Sequence, residues 1–249
     1  GDVYKRQIHN IGIARAYAVG TDGTILETTD VGAAWEQRTS NTTSTLYDIE
    51  DQFGTDNMWV CGRYGNVLRN NGVGTDFELM TGETKYWMGG VEFINADTGW
   101  VVGGERGYGT KGIILKTTNG GESWDVKLEN PNLWNLDFIN GNKGCAVGRY
   151  GEIWVTATGG NTWGNPSSPV STDLYAVHFV DENHGWISGR YGEILRTSTG
   201  GNSWSRLTSN TLNPLWGIHF VNELIGYACG LDSTIIKTTD GGTSWTRQS

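Results

Sequence analysis

Six times along the chain a short extended segment runs into a small-residue turn that closes on an aromatic side chain. The clearest copies are Thr28-Thr29-Asp30-Val31-Gly32-Ala33-Ala34-Trp35, Thr117-Thr118-Asn119-Gly120-Gly121-Glu122-Ser123-Trp124 and Thr238-Thr239-Asp240-Gly241-Gly242-Thr243-Ser244-Trp245. Two more end at Trp163 and Trp204, and a degenerate one at Phe77, so successive copies are 42, 47, 39, 41 and 41 residues apart. A period of this size made of short strands is the signature of a radial β-repeat. It predicts an all-β fold, a β-propeller of four-stranded antiparallel blades with six blades visible.

The stretch from Leu174 to Leu207 shows one unit: Leu174–Val180, Gly185–Gly189, Glu193–Thr197 and Ser203–Leu207 are β-branched and aromatic runs bounded by Gly, Asn or Asp. They read as strands A to D of one blade. The 38 Gly and 4 Pro among 249 residues suit many tight turns. The repeat runs without a linker, so a single propeller domain is expected over residues 8–249, with blades ending near 38, 80, 128, 165, 207 and 249. Residues 2–7 look like the translation of a sequencing-library transposon end, and 1–7 are set aside as an artefact. The expectation is therefore a metagenomic fragment whose gene encoded more, a seventh blade or a signal sequence included.

A formal net charge of −9 disfavours nucleic acid as a partner. No apolar run approaches the length of a membrane-spanning helix. Cys61, Cys145 and Cys229 fall in the second strands of their repeats and are expected as small core residues. His9, His178, His184 and His219 lack metal-ligand spacing, and no phosphate loop or nucleophile elbow occurs, so neither metal nor cofactor is expected.

At the third position of the turn motif stand Asp30, Gly72, Asn119, Thr158, Thr199 and Asp240. Carboxylate, amide and hydroxyl exchange freely there, which suits capping of backbone N–H groups and not shared catalysis. Asp30, Trp35, Asn119, Trp124, Trp163, Trp204, Asp240 and Trp245 are accordingly assigned as structural residues, with the indole packed under the turn. The motif resembles the Asp-box, or BNR repeat. Together with Gly185-Trp186-Ile187-Ser188-Gly189-Arg190-Tyr191-Gly192-Glu193-Ile194-Leu195-Arg196-Thr197 and the stretch Gly230 to Gly242, it resembles the photosystem II assembly factor family of YCF48 and HCF136 over residues 8–249. The resemblance implies a seven-bladed propeller that is exported to the periplasm, the extracellular space or the cell surface and binds other proteins without catalysis. Relatives of this repeat also occur in bacteria without photosynthesis, so a photosystem partner does not follow.

The B–C and D–A connections of a propeller emerge on the face opposite the boxes. There Gly62-Arg63-Tyr64-Gly65, Gly148-Arg149-Tyr150-Gly151 and Gly189-Arg190-Tyr191-Gly192 repeat one tetrapeptide, and blade three offers Arg106 and Tyr108 in a longer loop. Tyr47, Trp87, Trp134, Tyr175 and Trp216 stand near the start of strand A. Arg, Tyr and Trp are the residue types of interface hot spots. This face is expected to bind a protein or peptide, one with an acidic segment or a free C-terminus, with carbohydrate as an open alternative and the chain a monomer. A structural alternative pairs the arginines with Glu152 and Glu193. Two further alternatives are a secreted Asp-box glycoside hydrolase of the sialidase or xyloglucanase type, with Asp22 and Asp232 as carboxylates, and one module of a larger cell-surface protein.

Overall fold

The computed structural model describes residues 5–53, 55–81, 85–105 and 109–248. The chain divides into two compact units, Gly1–Asn130 and Pro131–Ser249. The first holds three antiparallel sheets: β1 (Lys5–Ile11), β2 (Arg15–Gly20), β3 (Ile25–Thr28) and β4 (Glu36–Arg38); β5 (Leu46–Asp51), β6 (Met58–Gly62), β7 (Val67–Arg69) and β8 (Glu78–Thr81); β9 (Tyr86–Phe93), β10 (Gly99–Glu105), β11 (Gly112–Thr117) and β12 (Asp125–Glu129). The second holds β13 (Leu133–Phe138), β14 (Gly144–Gly148) and β15 (Ile153–Thr156); β16 (Leu174–Phe179), β17 (Gly185–Gly189), β18 (Ile194–Thr197) and β19 (Ser205–Leu207); β20 (Leu215–Phe220), β21 (Gly226–Gly230), β22 (Thr234–Thr238) and β23 (Thr246–Arg247). Strand order in every sheet is the order of the chain, the pattern of propeller blades, so the fold is the six-bladed all-β propeller expected. β1 begins at Lys5, so residues 5–7, set aside above, belong to a strand paired with β2; residues 1–4 lie outside the described residues.

Blade four departs from the expected four strands. Its last strand shrinks to one bridge, Val155 to Gly164, because Pro166 follows two residues later and has no N–H to give the ladder.

Within each unit the first strands of consecutive blades pack on one another, β1 on β5 and β5 on β9, then β13 on β16 and β16 on β20. The cores lie between blades. Tyr17, Val19 and Ile25 of blade one meet Leu46, Ile49 and Val60 of blade two, and Trp59 and Cys61 meet Met88, Val91 and Phe93 of blade three. In the second unit Val147 and Ile153 meet Leu174 and Ile187, while Trp186 and Ile194 meet Ile218 and Phe220. β6 and β17 are buried at every position, since a blade lies over each of their faces. Each buried Trp removes roughly 200 Å² from water, about 5 kcal/mol before entropy is counted.

β21, in the last sheet of its unit, alternates instead, with Tyr227 and Cys229 exposed. Cys61 and Cys145 are buried as expected, but Cys229 is not a core residue. Its burial would depend on cover that Cys61 receives from the next blade of its own unit.

Side chains on the inner strands also clamp neighbouring blades. Asp48 accepts the Val91 N–H at 2.9 Å; Asn135 accepts that of Val177 at 3.0 Å and Asp137 that of Phe179 at 2.7 Å. The His178 Nδ1 accepts the Phe220 N–H at 3.3 Å while the ring packs at a tilt of 54° against His219 with centroids 4.2 Å apart. Burial and then the His219 neighbour push His178 down to about 4. Burial pushes Asp137 up to about 7, against the pull of the Phe179 N–H.

The two groups act oppositely between pH 4 and 6.5. There the unfolded chain takes up a proton on His178 that the fold refuses, whereas the fold retains a proton on Asp137 that the unfolded chain releases. Relative to the unsubstituted chain, His178→Asn is therefore expected to gain stability as pH falls from 6.5 to 4. Asp137→Asn is expected to gain stability as pH rises from 4 to 7, each by up to about 1.4 kcal/mol per pH unit. Urea unfolding across this range is the measurement, and slopes of the same sign for both variants would refute the assignment.

Candidate functional site

Each tetrapeptide turn between the second and third strands is built the same way. The Arg63, Arg149 and Arg190 N–H groups donate to the carbonyls of Thr45, Asn132 and Asp173, at 2.9, 2.9 and 2.8 Å. The residue after each turn donates back to the arginine carbonyl. The following tyrosines take left-handed backbone angles: φ is +58° at Tyr64, +55° at Tyr150 and +60° at Tyr191. Asp22 at +56° and Asp232 at +54° hold the same position in blades one and six. The closing glycine is forced by crowding, because a Cβ on Gly151 or Gly192 would overlap the Val170 or Thr211 carbonyl of the D–A connection.

Left-handed angles suit Asp and Asn, whose short side chains hydrogen-bond locally, and cost a tyrosine about 1–2 kcal/mol. Yet Tyr64, Tyr150 and Tyr191 are roughly half exposed, at 55, 48 and 52%, so little burial compensates them.

In the first unit Arg63 turns inward. Its Nε donates to the Tyr47 hydroxyl at 2.9 Å and its guanidinium lies 4.4 Å from the Trp87 ring, which itself stacks on Tyr47 at 5.8 Å. In the second unit Arg149 and Arg190 each lie 4.9 Å from the tyrosine of their own turn. Both also approach Asp173 at 4.0 Å, one on each carboxylate oxygen, so two cations share one buried anion. The buried Arg149 Nε finds no hydrogen-bond acceptor among the described residues. Beside them Trp134, Tyr175 and Trp216 form a ladder with centroids 5.1 and 4.3 Å apart, and Trp216 is half exposed. Burial and the Asp173 charge push the Tyr175 hydroxyl up to about 12, so it remains a donor. Arg106 and Tyr108 lie outside the described residues.

A family model described as photosynthesis system II assembly factor YCF48 matches residues 125–214. The chloroplast photosystem II stability/assembly factor HCF136 of Oryza sativa subsp. japonica is 33% identical over 88 residues, covering 33% of this chain and 20% of that protein. The matched stretch thus spans about a fifth of that relative's length. Among solved structures, YCF48 from Cyanidioschyzon merolae superposes with a TM-score of 0.76 at 18% identity, over 99% of this chain and 85% of that one. A structure of YCF48 bound to D1 peptide gives 0.75 at 17% identity, over 98 and 80% of the two chains. Over residues 125–214 the chain is similar to this family, and its fold is that of the YCF48 propellers.

The turn boxes share one hydrogen-bond scheme across three chemistries. Asp30, Asn119, Thr158, Thr199 and Asp240 each accept the N–H of the residue four places on, at 2.9 to 3.1 Å. The Ser244 hydroxyl and N–H and the Thr238 hydroxyl hold Asp240 down at about 2. Trp163, Trp204 and Trp245 donate to the carbonyl of the second box glycine, while Trp35 is more than a third exposed and Trp124 half-buried.

The carboxylates expected to pair with the turn arginines do not. Glu193 forks onto Arg206 at 2.6 and 2.7 Å, and Glu152 accepts from Trp154 and Asn165. Sequence reasoning missed Asp173, which lies outside the tetrapeptide; its signal was the place just before Leu174, held by Thr45, Asn132 and Pro214 elsewhere. It also missed the repeated Thr-Ser-Asn-Thr of residues 39–42 and 208–211. There Asn41 and Asn210, at φ +53° and +60°, donate to the Phe77 and Trp245 carbonyls of the next blade. A cleft of about 470 Å³ opens between Tyr191, Arg206 and this second segment.

Proposed function

We propose that the chain is a non-enzymatic assembly factor that captures a peptide segment of a client protein on the turn face of its second unit, which carries Arg149 and Arg190 with Tyr150 and Tyr191. One observation carries this reading: three half-exposed tyrosines are held at left-handed angles where aspartate serves in two other blades. The exchange costs the backbone and returns the fold only a half-exposed contact with the neighbouring arginine, so we read the rings as serving a partner. The half-exposed Arg190 guanidinium, only 4.0 Å from the Asp173 carboxylate that it shares with Arg149, offers a cationic donor beside the Trp134–Tyr175–Trp216 ladder, which suits an acidic peptide. The complex of a similar propeller with D1 peptide supports a peptide client.

The test is binding of a fluorescent D1 peptide and of an acidic peptide of the same length, read by anisotropy. Arg149→Glu/Arg190→Glu is expected to weaken capture at least about 30-fold, the scale of one hot-spot side chain, with the melting temperature nearly unchanged. Tyr150→Asp/Tyr191→Asp is expected to weaken capture while holding or raising the melting temperature. Unchanged affinity in both variants would overturn the reading. The hydrolase alternative predicts turnover of chromogenic aryl glycosides that is lost in Asp22→Asn or Asp232→Asn; on our reading no such turnover occurs.

A further inference from the structure

On the side of the sheets that carries the turn boxes, the loop between the first and second strands repeats a capped turn. Asn95, Asn140 and Asn222 each use Oδ1 to accept the N–H groups two and three residues on. Blade five keeps this scheme but changes two side chains. Asp181 replaces the amide and still accepts the Asn183 and His184 N–H groups on Oδ1, and His184 stands where Thr98, Lys143 and Ile225 stand elsewhere. Three sibling turns show that neither the second carboxylate oxygen nor the imidazole is needed to build the loop.

Those two surplus groups converge. Asp181 Oδ2 lies 2.9 Å from His184 Nδ1, and Glu223 Oε1, from the corresponding loop of blade six, lies 3.5 Å from the same nitrogen. The three donor atoms lie within 4.8 Å of one another. Imidazole nitrogen and carboxylate oxygen bind a first-row divalent ion at about 2.0–2.2 Å, which places cis octahedral ligands about 2.9 Å apart and tetrahedral ones about 3.4 Å apart. The Asp181–His184 edge, itself a hydrogen bond, has the octahedral spacing, and the Glu223–His184 edge the tetrahedral one, so a small side-chain shift brings both to one geometry. All three side chains are partly open to solvent, leaving room for water to complete the shell. A second histidine–carboxylate set differs in kind: His9 directs Nδ1 to Glu50 at 3.3 Å and Nε2 to Asp51 at 2.9 Å, so its carboxylates sit on opposite sides of the ring, as on a bridging imidazolium.

We propose that Asp181, His184 and Glu223 form a site for one first-row divalent cation of the zinc or nickel type, joining the loops of blades five and six. The sequence concealed it because its ligands come from two loops 42 residues apart, each looking like an ordinary turn.

The experiment is calorimetric titration of the untagged chain with ZnCl₂, with melting temperature read in parallel. One equivalent is expected to bind in the micromolar range and raise the melting temperature. Asp181→Asn and His184→Thr copy residues that build the same loop in sibling blades, so both are expected to fold normally and to lose binding at least tenfold. His9→Gln is expected to leave it unchanged. Absence of binding by the unsubstituted chain, or binding that survives both loop variants, would overturn the proposal.

Discussion

Gly121→Ala is expected to cost about 2–5 kcal/mol. Gly121 is the second glycine of a turn box and sits at φ +82°, where a Cβ would overlap Cη2 and Cζ2 of Trp59. That indole is fully buried, stacked on Phe93 at 5.1 Å and edge-on to Trp124 at 5.7 Å, so it has nowhere to retreat. The left-handed angle contributes about 1–2 kcal/mol and displacement of packed rings a further 1–3 kcal/mol. Gly12→Ala separates the two effects: Gly12 has φ +66° but nothing within 4 Å of the added carbon. It is expected to lose about 1–2 kcal/mol. Denaturant unfolding followed by tryptophan fluorescence measures both, and equal losses would show that crowding against Trp59 is unimportant.

A loss of similar size is expected from Arg38→Met. The Glu27 side chain is completely buried; it accepts Arg38 Nε at 2.7 Å and the Tyr17 hydroxyl at 2.6 Å. Removing the guanidinium strands a buried carboxylate, which costs roughly 3–5 kcal/mol. A second Glu–Arg pair, Glu193 with Arg206 in blade five, stands at other register positions of its hairpin, and its Arg206 side chain is 61% exposed, against 18% for Arg38. Water reaches that carboxylate more easily once the arginine is gone, so Arg206→Met is expected to cost about 1–2 kcal/mol. Glu27→Gln/Arg38→Met should recover part of the single-variant loss, since the uncompensated charge leaves with the acid. A double variant no better than Arg38→Met alone would place the cost in lost packing.

The contrast between these pairs marks what the sequence could disclose. Strand succession and blade register were legible because the box closes on itself: Thr238, Asp240 and Ser244 hydrogen-bond within seven residues, and such a circuit leaves a fixed local spelling. The tetrapeptide was legible in part for the same reason, since the bonds that close the turn on itself, Asn66 N–H to the Arg63 carbonyl and Gly62 N–H to the Asn66 carbonyl, return within four residues. What stayed hidden depends on partners that lie outside those local circuits. Asp173 faces Arg149 across a blade boundary, and Glu193 chose Arg206 in its own hairpin over Arg190 in its own turn. The exposure of Cys229 belongs in the same class, because strand spelling is identical whether or not another blade covers it. The lost fourth strand of blade four was written in Pro166, but the surrounding Trp163 made the repeat look whole.

The left-handed turn position has a consequence for how such a chain diversifies. Its backbone is held by carbonyls of the neighbouring connection and by the closing residue, so the side chain at Asp22, Tyr64, Tyr150, Tyr191 or Asp232 is spelled independently of the hydrogen bonds that shape the loop. Each of these five blades thus presents one interchangeable letter on an unchanging frame. Selection for a new client would rewrite those letters one at a time without renegotiating the fold, and a designer grafting new specificity could begin at the same five places.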